Sequence, residues 1–191
     1  MRIVGLGRET LDAFRGLFEA ASCGCFCRWW HFEGTKNEWL DRCAHRPEEN
    51  LSEQAAAALR EDDDARGLLA LDGHEAVGWM KLAPLAAVPK LRGLPVYRAL
   101  DLGERAWAVG CFLVHPRARR SGVARALLEA APAYAGARGA HAILGFPRRS
   151  SAPLYDEEAW QGPEALFRAL GYELLHDEPP YPVYRKVLAS A

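Results

Sequence analysis

The sequence predicts a single α/β (α+β) domain built on a mixed sheet. Three observations carry that expectation. Apolar residues in the first third recur at helical spacing. The period then changes to two on either side of Asp72-Gly73, and the remainder alternates strand-like with helix-like stretches. With 191 residues the chain has length for one sizeable core and hardly for two, so residues 1–191 are read as one domain.

The elements follow in order. "IVGLG" reads as a short strand, and "RETLDAFRGLFEAA" as a helix with Leu11, Phe14, Leu17 and Phe18 on one face. Thr35 with Glu38 three residues on resembles a capping box opening "NEWLDRCAH". Pro47 breaks that pattern, and "NLSEQAAAALRED" is a second helix former with Asn50 and Glu53 as its start signal. "ARGLLALDGHEAVGWMKLAP" makes two strands around Asp72-Gly73, a hairpin signal. "WAVGCFLVHP" is a buried strand. "SGVARALLEAAPAYAGARGA" is a helix presenting Val123, Leu127, Ala131 and Tyr134 along one face. "HAILGFP" is a strand, "PEALFRALGY" a helix ending at Gly171, and "YPVYRKVL" a closing strand. Two or three layers around the sheet fit this order equally.

The bulk numbers exclude several function classes. Hydrophobic residues make up 50% and charged residues 26%, the profile of an ordinary globular protein. A net charge of −1 gives no bulk attraction to nucleic acid or to an acidic membrane, so neither is expected as a partner. No segment has the run of apolar residues a membrane span needs, and the start is not a secretory signal. Five cysteines, three of them packed into "CGCFC", read as a reduced, cytoplasmic chain.

Two glycine signals invite a phosphate reading, and they differ in strength. "VGLGRET" begins like a dinucleotide fingerprint, but Thr10 stands where the third glycine belongs, so it reads as a strand turning into a helix. "VHPRARRSGVA" is the stronger. A strand runs through a short loop into a helix whose first turn has unpartnered N–H groups and roughly half a positive charge from the dipole. Gly122 has no β-carbon, so an anion can approach the backbone there, and Arg117, Arg119 and Arg120 add charge-assisted bonds at the rim. The Gly-Lys-Ser/Thr ending of nucleotide triphosphatases is missing.

The order Val114-x-Pro116, then Arg119-x-x-Gly122-x-Ala124, resembles the acetyl-CoA motif of the GNAT superfamily of N-acetyltransferases. "LFRALGY" is similar to that family's fourth-helix ending. "DGHEAVGWMKLAP", "LPVYRALD", "CFLVHP" and "DEEAWQGPEALF" look like one bacterial branch with a Cys/Trp-rich N-terminal segment. The resemblance implies a mixed, mostly antiparallel sheet flanked by helices, with a splay between the fourth and fifth strands. It implies acetyl-CoA as cosubstrate, its pantetheine paired with backbone of Phe112, Leu113 and Val114. Its diphosphate would lie on Arg119, Arg120, Ser121, Gly122, Val123 and Ala124. A substrate amine attacks the thioester, and a backbone N–H of the motif strand stabilises the oxyanion.

The acid–base half of the family pattern is missing. Ala108 stands where many members carry a glutamate base, and Phe167 where many carry a tyrosine acid. An alkyl ammonium titrates near ~10, so its proton must go somewhere. Three readings follow: a substitute side chain, with Tyr155 the candidate; a water relay with positioning as the main accelerant; or coenzyme binding without turnover. Cys111, beside the thioester backbone, reads as a small apolar residue.

"SCGCFCRWWHFEG" offers soft ligands in Cys23, Cys25 and Cys27, with His31, Cys43 and His45 nearby. The C-x-C-x-C spacing is not a zinc knuckle, and no metal is expected. Phe26, Trp29, Trp30 and Phe32 form either an aromatic wall, with Trp29 and Trp30 contacting the acceptor, or plain core. Asp156 to Glu158 would attract a cationic amine or simply be solvated surface. The reading is therefore an N-acetyltransferase acting on a small-molecule or peptide amine, with room for a homodimer. A catalytically silent CoA or acyl-CoA sensor is the alternative. A nucleic-acid regulator lacks both a recognition-helix pattern and the charge.

Overall fold

The computed structural model describes residues 1–93, 100, 102–152, 155 and 158–189, the side chain of Arg92 excepted. Among the described residues seven strands lie in one sheet: β1 (Arg2–Gly5), β2 (Gly67–Asp72), β3 (Glu75–Pro84), β4 (Ala106–Val114), β5 (Ala142–Gly145), β6 (Glu173–His176) and β7 (Val183–Val187). Their order is β1-β2-β3-β4-β5-β7-β6. Only β4 and β5 run parallel; the other neighbours are antiparallel.

Both faces of the sheet are covered, which explains why β2 reads as the unbroken apolar run Leu68 to Leu71 and not as an alternation. Leu68 and Ala70 face helix α5 (Val123–Gly136), whose Val123, Leu127 and Ala131 pack on them with Met80 and Val109. Leu69 and Leu71 face helix α1 (Leu11–Ala20), where Phe14, Leu17 and Phe18 meet the Trp79 ring. A third cluster joins Trp30 to Ala83, Ala106, Ala108 and Leu144. The architecture is thus three-layered, a mixed, mostly antiparallel sheet between helices.

Local signals fare unevenly. The capping box holds: Thr35 Oγ1 accepts the Glu38 N–H at 3.3 Å, and the Glu38 carboxylate accepts the Thr35 N–H at 2.7 Å, opening α2 (Lys36–His45). The β2–β3 turn falls on Gly73-His74, one residue beyond Asp72-Gly73, with Gly73 supplying φ +61. The next helix, α3 (Pro47–Leu59), does not start at Asn50. Pro47 occupies its first turn, where a missing N–H costs nothing, so proline here opens a helix. Asn50 is buried inside that helix and donates to the Gly24 carbonyl at 2.8 Å, while Glu53 pairs with Arg42. A short turn, α4 (Pro89–Arg92), and α6 (Glu164–Ala169) complete the helices used below. β6 has no separate signal in the sequence. Residues 94–99 and Asp101, within the "LPVYRALD" stretch, lie outside the described residues.

Gly145 closes β5 directly against Phe167, and a β-carbon added there would overlap that ring. The Gly145→Ala variant should lose about 1–3 kcal/mol to overpacking. Urea denaturation checks this, and unchanged stability would contradict the packing described.

Candidate active site

β4 and β5 pair over three residues only, Ala106↔Ala142, Trp107↔Ile143 and Ala108↔Leu144. β5 then ends at Gly145, while β4 runs on to Val114 against β3. The His115 N–H donates to Val77 O at 2.9 Å. By antiparallel alternation Leu113 therefore turns its polar groups to β3, and Phe112 and Val114 turn theirs into the splay. That edge is already used in part: the Phe112 N–H donates to Trp160 O at 2.6 Å. The sequence expects all of Phe112 to Val114 to be open to a ligand. The structure leaves the Phe112 carbonyl and the Val114 amide facing the cleft, and gives the Phe112 N–H to the 158–162 turn.

A cleft of about 560 Å3 opens beside this edge. Phe112, Leu113 and Val114 form one wall, Arg119, Arg120, Gly122, Val123 and Ala124 the mouth, and Trp160, Gly162 and Leu166 the opposite side. Gly122 caps the N-terminus of α5 in the left-handed region, φ +86, and nothing lies within 4 Å of where its β-carbon would be. The left-handed backbone favours glycine there, and the open space beside it leaves the helix entrance accessible to a ligand. Ser121 is not among the lining residues; its hydroxyl donates to Ala118 O at 2.7 Å and braces the loop. Arg117 and Arg125 are paired with Glu75 and Glu129; Arg119 and Arg120 are exposed and line the mouth. Two guanidinium groups and a helix N-terminus therefore meet at one end of the cleft, a place that attracts anions.

Among the described residues that line the splay, no carboxylate, histidine or tyrosine replaces the missing pair. Ala108 is buried at the last β4–β5 rung. Phe167 is fully buried and stands edge-on to Phe112, with ring centroids 6.4 Å apart. Tyr155 is not among the residues that line the cleft. Its carbonyl accepts the N–H groups of Glu158 and Ala159, and the residue is 76% exposed. Glu158 pairs with Arg148 at 2.8 Å; Asp156 and Glu157 lie outside the described residues.

The Cys/Trp-rich segment lies behind β4. Trp30 is buried there and packs on Trp160 at 5.4 Å, so it touches the cleft only through that ring. Trp29 is half-buried and forms a cluster with Trp39 and Phe32, with the Lys90 ammonium 4.0 Å above its ring. Phe26 belongs to the core with Phe14 and Phe18. Among the described residues no group of three or more His, Cys, Asp or Glu side chains is arranged to hold a metal.

Sequence reasoning missed a polar cluster under Gly110. Lys81 is fully buried, and a β-carbon at Gly110 would press on Lys81 Cδ and Trp30 Nε1. Lys81 Nζ donates to Asp64 O, and Arg28 binds Asp64 at 3.1 Å and Gln54 at 3.4 Å. Burial, with Arg28 next to it, lowers Lys81 to about 7. Burial followed by the Lys81 and Arg28 charges lowers His31 to about 2, so His31 is neutral, and its Nε2 is buried without a partner. Within "GWMKLAP" the one clue was a lysine at an inward position of a buried strand.

Comparison with known proteins agrees with this geometry. Residues 26–159 match the acetyltransferase (GNAT) family, and the chain belongs to it. It is thereby an acyltransferase with acetyl-CoA as cosubstrate. The fold is similar to the PaiA N-acetyltransferase of Thermoplasma acidophilum, solved with coenzyme A: TM-score 0.57, 11% identity, 98% of this chain and 99% of that one covered. It is also similar to the GNAT domain of S. lividans PAT, at TM-score 0.57 and 16% identity over 98% and 90% of the two chains. The aminoglycoside 6'-N-acetyltransferase of Enterococcus faecium gives TM-score 0.55 and 15% identity over 100% and 99%. At these identities the likeness is one of fold. No curated protein matches the chain in sequence.

Lys81 makes the buried cluster testable. Unfolding returns its ammonium from about 7 to the ordinary 10.5, so between those values the unfolded chain holds the extra proton. Stability therefore rises with pH across that window, by at most about 1.4 kcal/mol per pH unit from this group. Urea denaturation at pH 7 and pH 9 should show a larger gain for the wild type than for Lys81→Met. Equal gains would mean that Lys81 titrates normally.

Proposed function

We propose that the chain is an N-acetyltransferase that passes the acetyl group of acetyl-CoA to an amine of a small molecule or peptide. The observation that carries this reading is the open, left-handed Gly122 at the entrance of α5, in the same cleft that Phe112, Leu113 and Val114 of β4 line. The coenzyme's diphosphate would accept N–H bonds from the first turn of α5, with Arg119 and Arg120 adding charge. Its pantetheine would lie along β4, with an amide N–H donating to the Phe112 carbonyl and a carbonyl accepting the Val114 N–H. Engaging the Phe112 N–H as well requires Trp160 to release it.

The amine then attacks the thioester carbonyl, the C–N bond forms, and the C–S bond breaks with the electron pair leaving on sulfur. A β4 backbone N–H facing the carbonyl oxygen stabilises its developing charge. With Ala108 and Phe167 unable to move protons and Tyr155 in solvent, water takes the ammonium proton and returns one to the thiolate. Rate enhancement then comes mainly from holding amine and thioester together. An amine acceptor is in keeping with the aminoglycoside N-acetyltransferase among the fold's relatives. The same two residues, Ala108 and Phe167, favour the second reading, a CoA-binding sensor without turnover.

Calorimetry should show acetyl-CoA binding to the wild type and a loss of at least about tenfold in Gly122→Glu, which puts bulk and a negative charge where the diphosphate sits. Equal affinities would overturn the cleft assignment. Free-thiol release from acetyl-CoA with a panel of amines separates the two readings: saturable binding with background release for every amine would leave only the sensor.

A further inference from the structure

The expected reduced state holds for three of the five cysteines. Cys27 and Cys111 are joined as a disulfide across 84 residues of sequence, and Cys23, Cys25 and Cys43 are free thiols. All five gather behind β4, on the α1 side of the sheet. Cys23 Sγ lies 3.4 Å from Cys25 Sγ, and Cys25 Sγ accepts the Cys27 N–H at 3.4 Å. Cys27 Sγ in turn accepts Trp79 Nε1–H at 3.2 Å. Cys23 Sγ thus neighbours Cys25 Sγ, Cys25 Sγ lies against the backbone of Cys27, and Cys27 is bonded to Cys111, the residue before Phe112.

The Cys23 end of this series is accessible. Cys23 and Cys43 line a cleft of about 360 Å3 with Phe18, Phe26, Pro47 and Leu51. The backbone beside it is held out of its comfortable range: Ser22, Phe26 and Cys27 have φ of 50, 39 and 62, and none of them is glycine. The hydrogen bond from Cys25 lowers the Cys23 thiol to about 7, whereas that bond and burial raise Cys25. Of the two thiols at the mouth, Cys23 is therefore the one that ionises near neutral pH, since burial raises Cys43.

We propose that Cys23, Cys25, Cys27 and Cys111 form a thiol–disulfide relay that exchanges two electrons with a small-molecule thiol/disulfide couple entering at Cys23. In the oxidising direction the Cys23 thiolate attacks a small disulfide and expels one thiolate. Cys25 then attacks Cys23 Sγ in the mixed disulfide and expels the second. Cys27 attacks Cys25 Sγ and frees Cys23; Cys111 attacks Cys27 Sγ and frees Cys25. The Cys27–Cys111 bond is made, the small disulfide is reduced to two thiols, and the two thiol protons end on those products. Reduction runs the same steps backwards. The relay is chemically separate from acetyl transfer, and it explains how a buried bridge can be made and broken without unfolding. Disulfides of cytoplasmic proteins are usually of this transient kind.

The test uses the full chain, reduced with dithiothreitol, desalted and mixed with oxidised glutathione. Samples are quenched in acid, alkylated and mapped by mass spectrometry. The wild type should form the Cys27–Cys111 bridge, Cys43→Ser should match it, and Cys23→Ser should be slower by about tenfold or more. Cys25→Ser, stalled at the second step, should accumulate a glutathione adduct on Cys23. Should Cys25→Ser fail to fold by circular dichroism, the half-buried Cys23 position still decides the matter. Equal bridging rates in Cys23→Ser and wild type, or folded wild type that forms no bridge, would overturn the relay.

Discussion

The cleft depends on how briefly β4 and β5 stay together. A parallel pair gains stability with every added rung, so a pair of three residues needs a cause for stopping. Two are at hand. Gly145 has no side chain, which lets the Phe167 ring press against the end of β5, and Pro147 two residues on has no N–H to offer a ladder. β4 has no such constraint, because β3 holds it on the other side to Val114. The sheet therefore opens at a defined rung, with an aromatic ring as the wedge.

What backs the opened strand matters as much as what leaves it. Behind Gly110 lie Trp30 and the Lys81 side chain, and beyond them Arg28, Asp64 and Gln54 tie the N-terminal segment to α3 and to the start of β2. Burying that much polarity costs stability unless its geometry is satisfied. Here the reward is position: the N-terminal segment is fixed to the rear of β4, and the Trp30–Trp160 contact carries that order round to the cleft wall.

The sequence disclosed most where a residue's chemistry acts on its near neighbours. Thr35 and Glu38 close their box within one turn, and Gly122 is legible because a helix entrance needs a special backbone at a fixed offset from its strand. The order of most elements followed from periodicity, whereas the choice between two layers and three needed the packing of α1 and α5 on opposite faces of the sheet. Pro47 misled because a proline that ends one helix can equally begin the next, and the choice lies in what Asn50 reaches 26 residues away. Trp30 and Trp29, adjacent in sequence, ended in the core and half-buried at its margin, a distinction set by Ala108, Leu144 and Lys90. Tyr155 could be placed in the right loop but not pointed, since its turn is fixed by backbone bonds to residues 158 and 159. The meeting of Cys27 with Cys111 is a long-range product of the whole sheet, and "CGCFC" carries no sign of it.

The bond from Phe112 to the Trp160 carbonyl has a bearing on the unloaded protein. Unpaired strand edges recruit foreign strands, and an internal splay is such an edge held permanently ajar. By lending a carbonyl from its own chain to that edge, the protein offers less of a template for stray association. Colloidal good behaviour between turnovers is thus written into the same wall that would have to yield when a guest arrives.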